Sequence, residues 1–385
     1  TRELLLMNLY YTGVCQLLDG NPTRVESGYY IKTDDERIVY ADKVPSDVQL
    51  VTFQELEDAL FEGCKYVINE FANSENNKDV YAFNLYADEH NSFYIYINTE
   101  DSFRNYVDRH YSSYSEKKKQ EIKYNQGDFT YQLYPSDMGT SQQIIEECEE
   151  IASDLQYVDH LEDLSDEDIP VIVYEKRIFN DGFFHAALNA IKRLGTAFEL
   201  DKLNKSKNFI HYAATGNDYV DFSLVMRKTI QPDLFYTCFP ELEDKDKQFE
   251  IHLDHINSKS IKEILDFWEE ALQGEFKKGS PYQYLKTEYQ VFKNLEKLGD
   301  DLALECISRL SRVIESDLNN KININKIGIY LKALEFLEIN EDLLSKISLI
   351  KQLIDNASFD AFLEEFIDNV QKDLNTIIER NTIKS

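Results

Sequence analysis

Residues 79–98 read Asp79-Val80-Tyr81-Ala82-Phe83-Asn84-Leu85-Tyr86-Ala87, Asp88-Glu89-His90-Asn91, then Ser92-Phe93-Tyr94-Ile95-Tyr96-Ile97-Asn98. In the first arm Tyr81, Phe83 and Leu85 fall on one side and Val80, Ala82 and Asn84 on the other. In the second arm Phe93, Ile95 and Ile97 oppose Tyr94 and Tyr96. Period-two alternation on both sides of a polar turn predicts an antiparallel hairpin. Tyrosine buries its ring and keeps its hydroxyl wet, so the tyrosine-bearing face is predicted to be partly covered.

Upstream of the hairpin, Thr52 or Gln54 opens a helix with Leu56, Leu60, Val67 and Phe71 along one face, widened by Ala59 and Cys64. It ends at the polar run Asn73-Ser74-Glu75-Asn76-Asn77. Earlier still, Leu4 to Leu18 reads as a helix closed by Asp19-Gly20-Asn21-Pro22. Tyr29 to Lys32 and Arg37 to Tyr40 read as short strands around Thr33-Asp34-Asp35-Glu36. Downstream, Asn98-Thr99-Glu100-Asp101 caps a helix reaching about His110, with carboxylates at its positive end. Ser115 to Lys123 is a loop or short helix, and Pro135 interrupts regular structure after Tyr131. Val171 to Tyr174 is a strand or the lead-in to the next helix. That helix carries Ile178, Phe179, Phe183, Phe184, Ala187, Leu188, Ile191 and Leu194, and ends at Gly195. Phe209 to Ala214 and Tyr219 to Met226 form a second strand pair.

From about Ile261 the texture becomes helical throughout. Successive stripes are Ile264, Leu265, Trp268, Leu272; Leu285, Tyr289, Phe292, Leu295; Ile307, Leu310, Ile314, Leu318; Tyr330, Leu331, Leu334, Leu337; Leu343, Ile347, Ile350, Ile354; and Phe359, Leu363, Phe366, Val370, Leu374, Ile377. The predicted fold class is therefore α+β, an antiparallel sheet with flanking helices, followed by an all-α helical C-terminal domain. The expected boundaries are a small N-terminal α/β segment at 1–50, an α+β domain at 51–250 and a helical bundle at 256–385.

Between Ser141 and Pro170 lie eleven carboxylates and no Lys or Arg: Glu146, Glu147, Glu149, Glu150, Asp154, Asp159, Glu162, Asp163, Asp166, Glu167 and Asp168. Ile144, Cys148, Ile151, Leu155 and Val158 run through the first half at helical spacing, so one face of an amphipathic helix packs and the other projects negative charge. A solvated helix face accounts for such a run, and so does a site for a positively charged partner. The whole chain carries a net charge of −30. That opposes direct binding of nucleic acid, which needs basic residues to displace counterions, and of anionic membrane surfaces. It favours a basic partner protein.

The five cysteines, Cys15, Cys64, Cys148, Cys238 and Cys306, are widely spaced, with no C-x-x-C pair. They read as reduced, buried thiols. Leu4-Leu5-Leu6 is too short for a signal-peptide core, and no apolar run reaches membrane-span length, so the expected location is cytoplasmic. His252 and His255 share a helix face but have no third ligand, so neither metal nor cofactor is expected. His185 reads as a core-edge histidine, and His211 likewise. Cys238 is a nucleophile only if its pKa is lowered.

From about Val51 to Pro240 the chain resembles a bacterial family, the domain of unknown function 4303. The resemblance is carried by Tyr81-Ala82-Phe83-Asn84-Leu85, Ile97-Asn98-Thr99-Glu100, Tyr134-Pro135-Ser136-Asp137, the Phe183 to Leu194 helix and the Ser223 to Pro232 tail. Tyr134 and Met138 stand where the family tends to have tryptophans, and Ile230-Gln231-Pro232 stands for a usual Leu-Asn-Pro. The family's members look like neighbours of toxin and immunity genes, which implies protein binding. The expected function is thus a non-enzymatic, immunity- or antitoxin-like module of a bacterial conflict system, its acidic residues facing a basic toxin or nuclease. Two alternatives are an enzyme with a site between the α+β and helical domains, drawing on His185, His211 or Cys238, and a scaffold that homo-oligomerises through its C-terminal helices.

Overall fold

A computed structural model describes residues 28–88, 90–158, 161–215, 226, 229–272, 288–316, 321–356 and 363–382. The helix expected at 4–18, the strand expected at 219–226 apart from Met226, half of the 223–232 tail and the stripe residues Leu285, Leu318 and Phe359 lie outside them. The chain divides into two compact units between Glu243 and Asp244. Among the described residues no helix is long and apolar enough to cross a membrane.

The first unit is α+β, with two four-stranded sheets. The deciding hairpin is β4 (Val80–Ala87) and β5 (Phe93–Thr99), paired Phe83 to Ile97 and Leu85 to Ile95. β6 (Tyr131–Leu133) extends it antiparallel beyond β5, and β8 (Lys205–Thr215) runs parallel to β4 on the other side. The second sheet joins β1 (Tyr29–Thr33) and β2 (Ile38–Ala41) to β7 (Pro170–Glu175), with β3 (Gln49–Val51) parallel to β7. Each sheet is thus antiparallel apart from one parallel pair. Residues 171–174, open between strand and helix in the sequence, form a strand because β1 and β3 take up their backbone groups on both sides.

Three helices cover one face of the hairpin sheet. α1 (Phe53–Ala72) starts at a capping box in which the Thr52 hydroxyl accepts from the Glu55 amide and the Glu55 carboxylate accepts from the Thr52 amide. It buries Leu56, Leu60, Cys64, Val67 and Phe71. α2 (Glu100–His110) and α3 (Glu116–Ile122) follow β5 in sequence. α4 (Gln142–Leu155) is the acidic helix, and α5 (Phe183–Gly195) follows a π-turn at Ile178–Gly182. Phe83, Leu85, Phe93, Ile95 and Ile97 share a core with α1, α4 and α5. The opposite face is covered too. There Tyr81, Tyr124, Phe129 and Tyr212 pack with Phe235, Cys238 and Phe239 around α6 (Pro232–Cys238).

α7 (Pro240–Asn257) crosses the unit boundary. The second unit continues with α8 (Ile261–Leu272), α9 (Glu288–Leu295), α10 (Gly299–Ile314), α11 (Lys321–Phe336), α12 (Glu341–Asp355) and α13 (Glu364–Thr382), and no strand occurs among its described residues. Its core gathers Trp268, Leu302, Cys306, Leu334, Ile347 and Leu374. Glu269 is buried beside them and meets Arg309 at 3.0 Å, Lys326 at 2.7 Å and the Tyr330 hydroxyl at 2.6 Å. Burial pushes its carboxyl up, but Lys326, Tyr330 and Arg309 overcome this and hold it below the usual glutamate value.

Candidate functional site

The acidic helix lies with Ile145, Cys148, Ile151 and Ala152 buried. Val158, expected on the same stripe, falls beyond the helix end and is exposed. Glu146 and Glu150 are exposed, and Glu146 and Glu147 accept from Gln142 and Gln143, each 2.9 Å away across one turn.

Glu149 departs from the outward set. Its carboxylate accepts from the Phe93 amide at 2.7 Å, so it ties the helix to the start of β5. Burial lifts its pKa to about 7, with Asp88 and Glu146 adding repulsion and the Phe93 amide opposing.

Three more of the acids, Glu150, Glu162 and Asp168, are tied to the opening hairpin. The segment after the helix runs beside β2: Tyr40 donates its amide to the Glu162 carbonyl at 2.8 Å, and Leu164 donates to the Tyr40 carbonyl at 2.8 Å. Arg37 reaches across to Asp168 and to Glu162, the latter at 3.6 Å, while Lys32 lies 3.4 Å from Glu150. The Asp168 carboxyl is held at about 2, first by the Ser165 amide and hydroxyl and then by Arg37. Asp159 lies outside the described residues. Glu146, Glu147, Asp154, Asp163, Asp166 and Glu167 are left, and among the described residues none of them forms an ion pair. Of the ten described acids, six are therefore carboxylates whose charge is not offset locally among the described residues.

A groove of about 470 Å³ opens at the N-terminal end of α4, where Gln142 lines it. Its walls are the outer face of α1, with Tyr66 and Glu70, the edge strand β6, with Tyr131, and the two 3₁₀ turns at Pro135–Asp137 and Gly139–Ser141. These turns contain the Pro135-Ser136-Asp137 motif. The Asp137 carboxylate accepts from the Tyr134 amide at 2.8 Å. Met138, buried, packs on Gly63 of α1 and anchors the turns. Gly139 has φ +62, and a Cβ there would sit 2.8 Å from the Tyr66 ring. Glycine is needed for both the backbone conformation and the close approach. The Tyr66 ring is thereby backed by main chain although it is 46% exposed. Phe71 meets Tyr131 edge-to-face at 5.1 Å at the base.

Tyr66 and Glu70 were not picked out by the apolar pattern of α1, since they lie off its stripe. The available signal was an aromatic and an acid at i and i+4 on the polar side of an amphipathic helix.

The other singled-out side chains do not converge. His185 is buried, its ring 4.8 Å from Phe53 and its Nε2 3.3 Å from the Asn189 amide, which also donates to Glu57 at 2.9 Å. Burial, with Arg177 adding, pulls its pKa to about 4, so the ring is neutral at pH 7. The His211 ring lies against Gly195, ten residues along α5 and so about 15 Å from His185 by helical rise. Cys238 belongs to the core on the opposite sheet face, where it meets the Tyr124 hydroxyl at 3.2 Å and burial raises its pKa. The Cys64, Cys148 and Cys306 thiols are also free and buried. His252 is exposed, with its ring 5.3 Å from Phe267, and among the described residues no group of three or more His, Cys, Asp or Glu is placed to hold a metal.

Residues 60–229 match the family model described as Domain of unknown function (DUF4303). The match spans the hairpin, the acidic helix, the groove-forming turns and α5. No curated protein and no solved structure gives a significant match.

Proposed function

We propose that this chain is a non-enzymatic, cytoplasmic protein-binding module, an immunity- or antitoxin-like component of a bacterial toxin or phage-defence system. Its partner is a basic protein such as a nuclease toxin. The observation that supports this reading is the set of six unoffset carboxylates on and after α4, Glu146, Glu147, Asp154, Asp163, Asp166 and Glu167. They add to a chain whose net charge is −30. A one-signed surface of this kind speeds encounter with an oppositely charged protein and rejects like-charged ones.

The test begins with capture of the partner from host lysate at low salt. A four-fold reversal, Glu146→Lys, Asp154→Lys, Asp166→Lys and Glu167→Lys, is then compared with the parent chain by stopped-flow. The expected result is association slowed by about tenfold or more at low salt, a difference that shrinks as salt rises, and a urea midpoint almost unchanged. Association rates that match the parent at low salt would remove the reading.

A further inference from the structure

The groove beside the acidic helix has a chemistry of its own. Two carboxylates line it, Glu70 and Asp137, and among the described residues no Lys, Arg or His does. Two phenol rings, Tyr66 and Tyr131, form parts of its walls, and Tyr66 is fixed against the Gly139 backbone. Glu70 forms no ion pair among the described residues. Carboxylates accept the forked donors of a guanidinium, and aromatic faces attract its positive charge. A planar, weakly hydrated cation suits a slot walled by rings better than a compact ammonium does.

We infer that this groove receives an arginine side chain of the basic partner, held between the Tyr66 and Tyr131 rings and the Glu70 and Asp137 carboxylates. The inference rests on the basic-partner reading above. Gln142 belongs both to the groove and to α4, so the field that draws the partner in ends at the slot where one of its side chains is seated. Aromatic and arginine side chains are where binding energy concentrates in protein interfaces.

The experiment uses the full chain and needs no partner. Saturation-transfer NMR is recorded with acetyl-Gly-Arg-Gly amide, and with acetyl-Gly-Gln-Gly amide as the uncharged control. The arginine peptide is expected to bind saturably at millimolar concentration and the glutamine peptide not to bind. Glu70→Gln, an exposed and isosteric change, is expected to weaken binding about fivefold. Tyr66→Leu is expected to weaken it at least threefold, while Tyr66→Phe, which keeps a ring, restores it. Glu379→Gln, an exposed carboxylate in the helical unit, controls for non-specific attraction and should change nothing.

Equal binding of the two peptides, or an arginine signal indifferent to Glu70→Gln and Tyr66→Leu, would overturn the inference. If that occurs while the charge reversals still slow association, the acidic-face reading stands and the groove alone is dismissed. Peptide binding at the groove with association indifferent to the reversals would break the link to the partner and overturn it too.

Discussion

Glu149 shows how one residue of a charged run can have a different task from its neighbours. Its folded pKa of about 7 lies above the reference value of 4.5. The folded state therefore holds the proton more tightly than the unfolded state does. The favourable contribution is complete below the unfolded pKa and is lost as pH rises through about 7. Glu149→Gln keeps an acceptor for the Phe93 amide and removes the charge. Urea melts are expected to match the parent near pH 4.5 and to show the variant more stable by about 1–2 kcal/mol at pH 8, a figure reduced for partial exposure. His185 titrates with the opposite sense. Its depressed pKa means stability is lost as pH falls from the unfolded value through about 4. Its imidazole carbon resonances are expected to stay at neutral positions from pH 8 down to about pH 5.5. Gly139→Ala should cost about 1–2 kcal/mol in urea melts, because the positive φ and the Tyr66 ring both oppose a Cβ.

Among the elements, α1 was readable at both ends. Thr52, one of the two starts offered with Gln54, is the N-cap, the apolar stripe gives the buried face, and Asn73 to Asn77 give the stop. The acidic segment was readable only in its helical half. Its loop is fixed by Arg37 and by the backbone of Tyr40, more than a hundred residues away in sequence. No local pattern encodes such a pairing, so the sequence showed eleven equivalent charges where the fold distinguishes tied from free ones. The groove was hidden for the same reason: Tyr66, Tyr131 and Asp137 meet only after α1 packs on the turns after β6. Arg37→Gln is expected to release the loop. Cleavage there by a Glu-specific protease should accelerate several-fold, while the global stability from urea melts falls by less than about 1 kcal/mol, since Arg37 itself is 45% exposed although Asp168 is not.

At the scale of the whole molecule, both halves follow from patterning, the alternation of β4 and β5 in one and the helical stripes in the other. The two parallel pairings, β4 with β8 and β3 with β7, were not legible. A buried strand carries an apolar run on any partner, and the direction of pairing depends on the long connection that returns the chain. The helical unit was predicted as apolar seams, yet it also buries a polar knot, Glu269 with Arg309, Lys326 and Tyr330. Glu269→Ala leaves the Arg309 and Lys326 charges without their shared partner and is expected to cost that unit about 3 kcal/mol. The chain holds one tryptophan, and Trp268, 2% exposed, lies in the core of this unit. Indole emission is thus a built-in optical probe of the helical half alone. Excited selectively over the 25 tyrosines, it should report the Glu269→Ala loss directly and stay silent while the tyrosine-rich α+β half melts, so the two halves can be followed separately in an unlabelled sample.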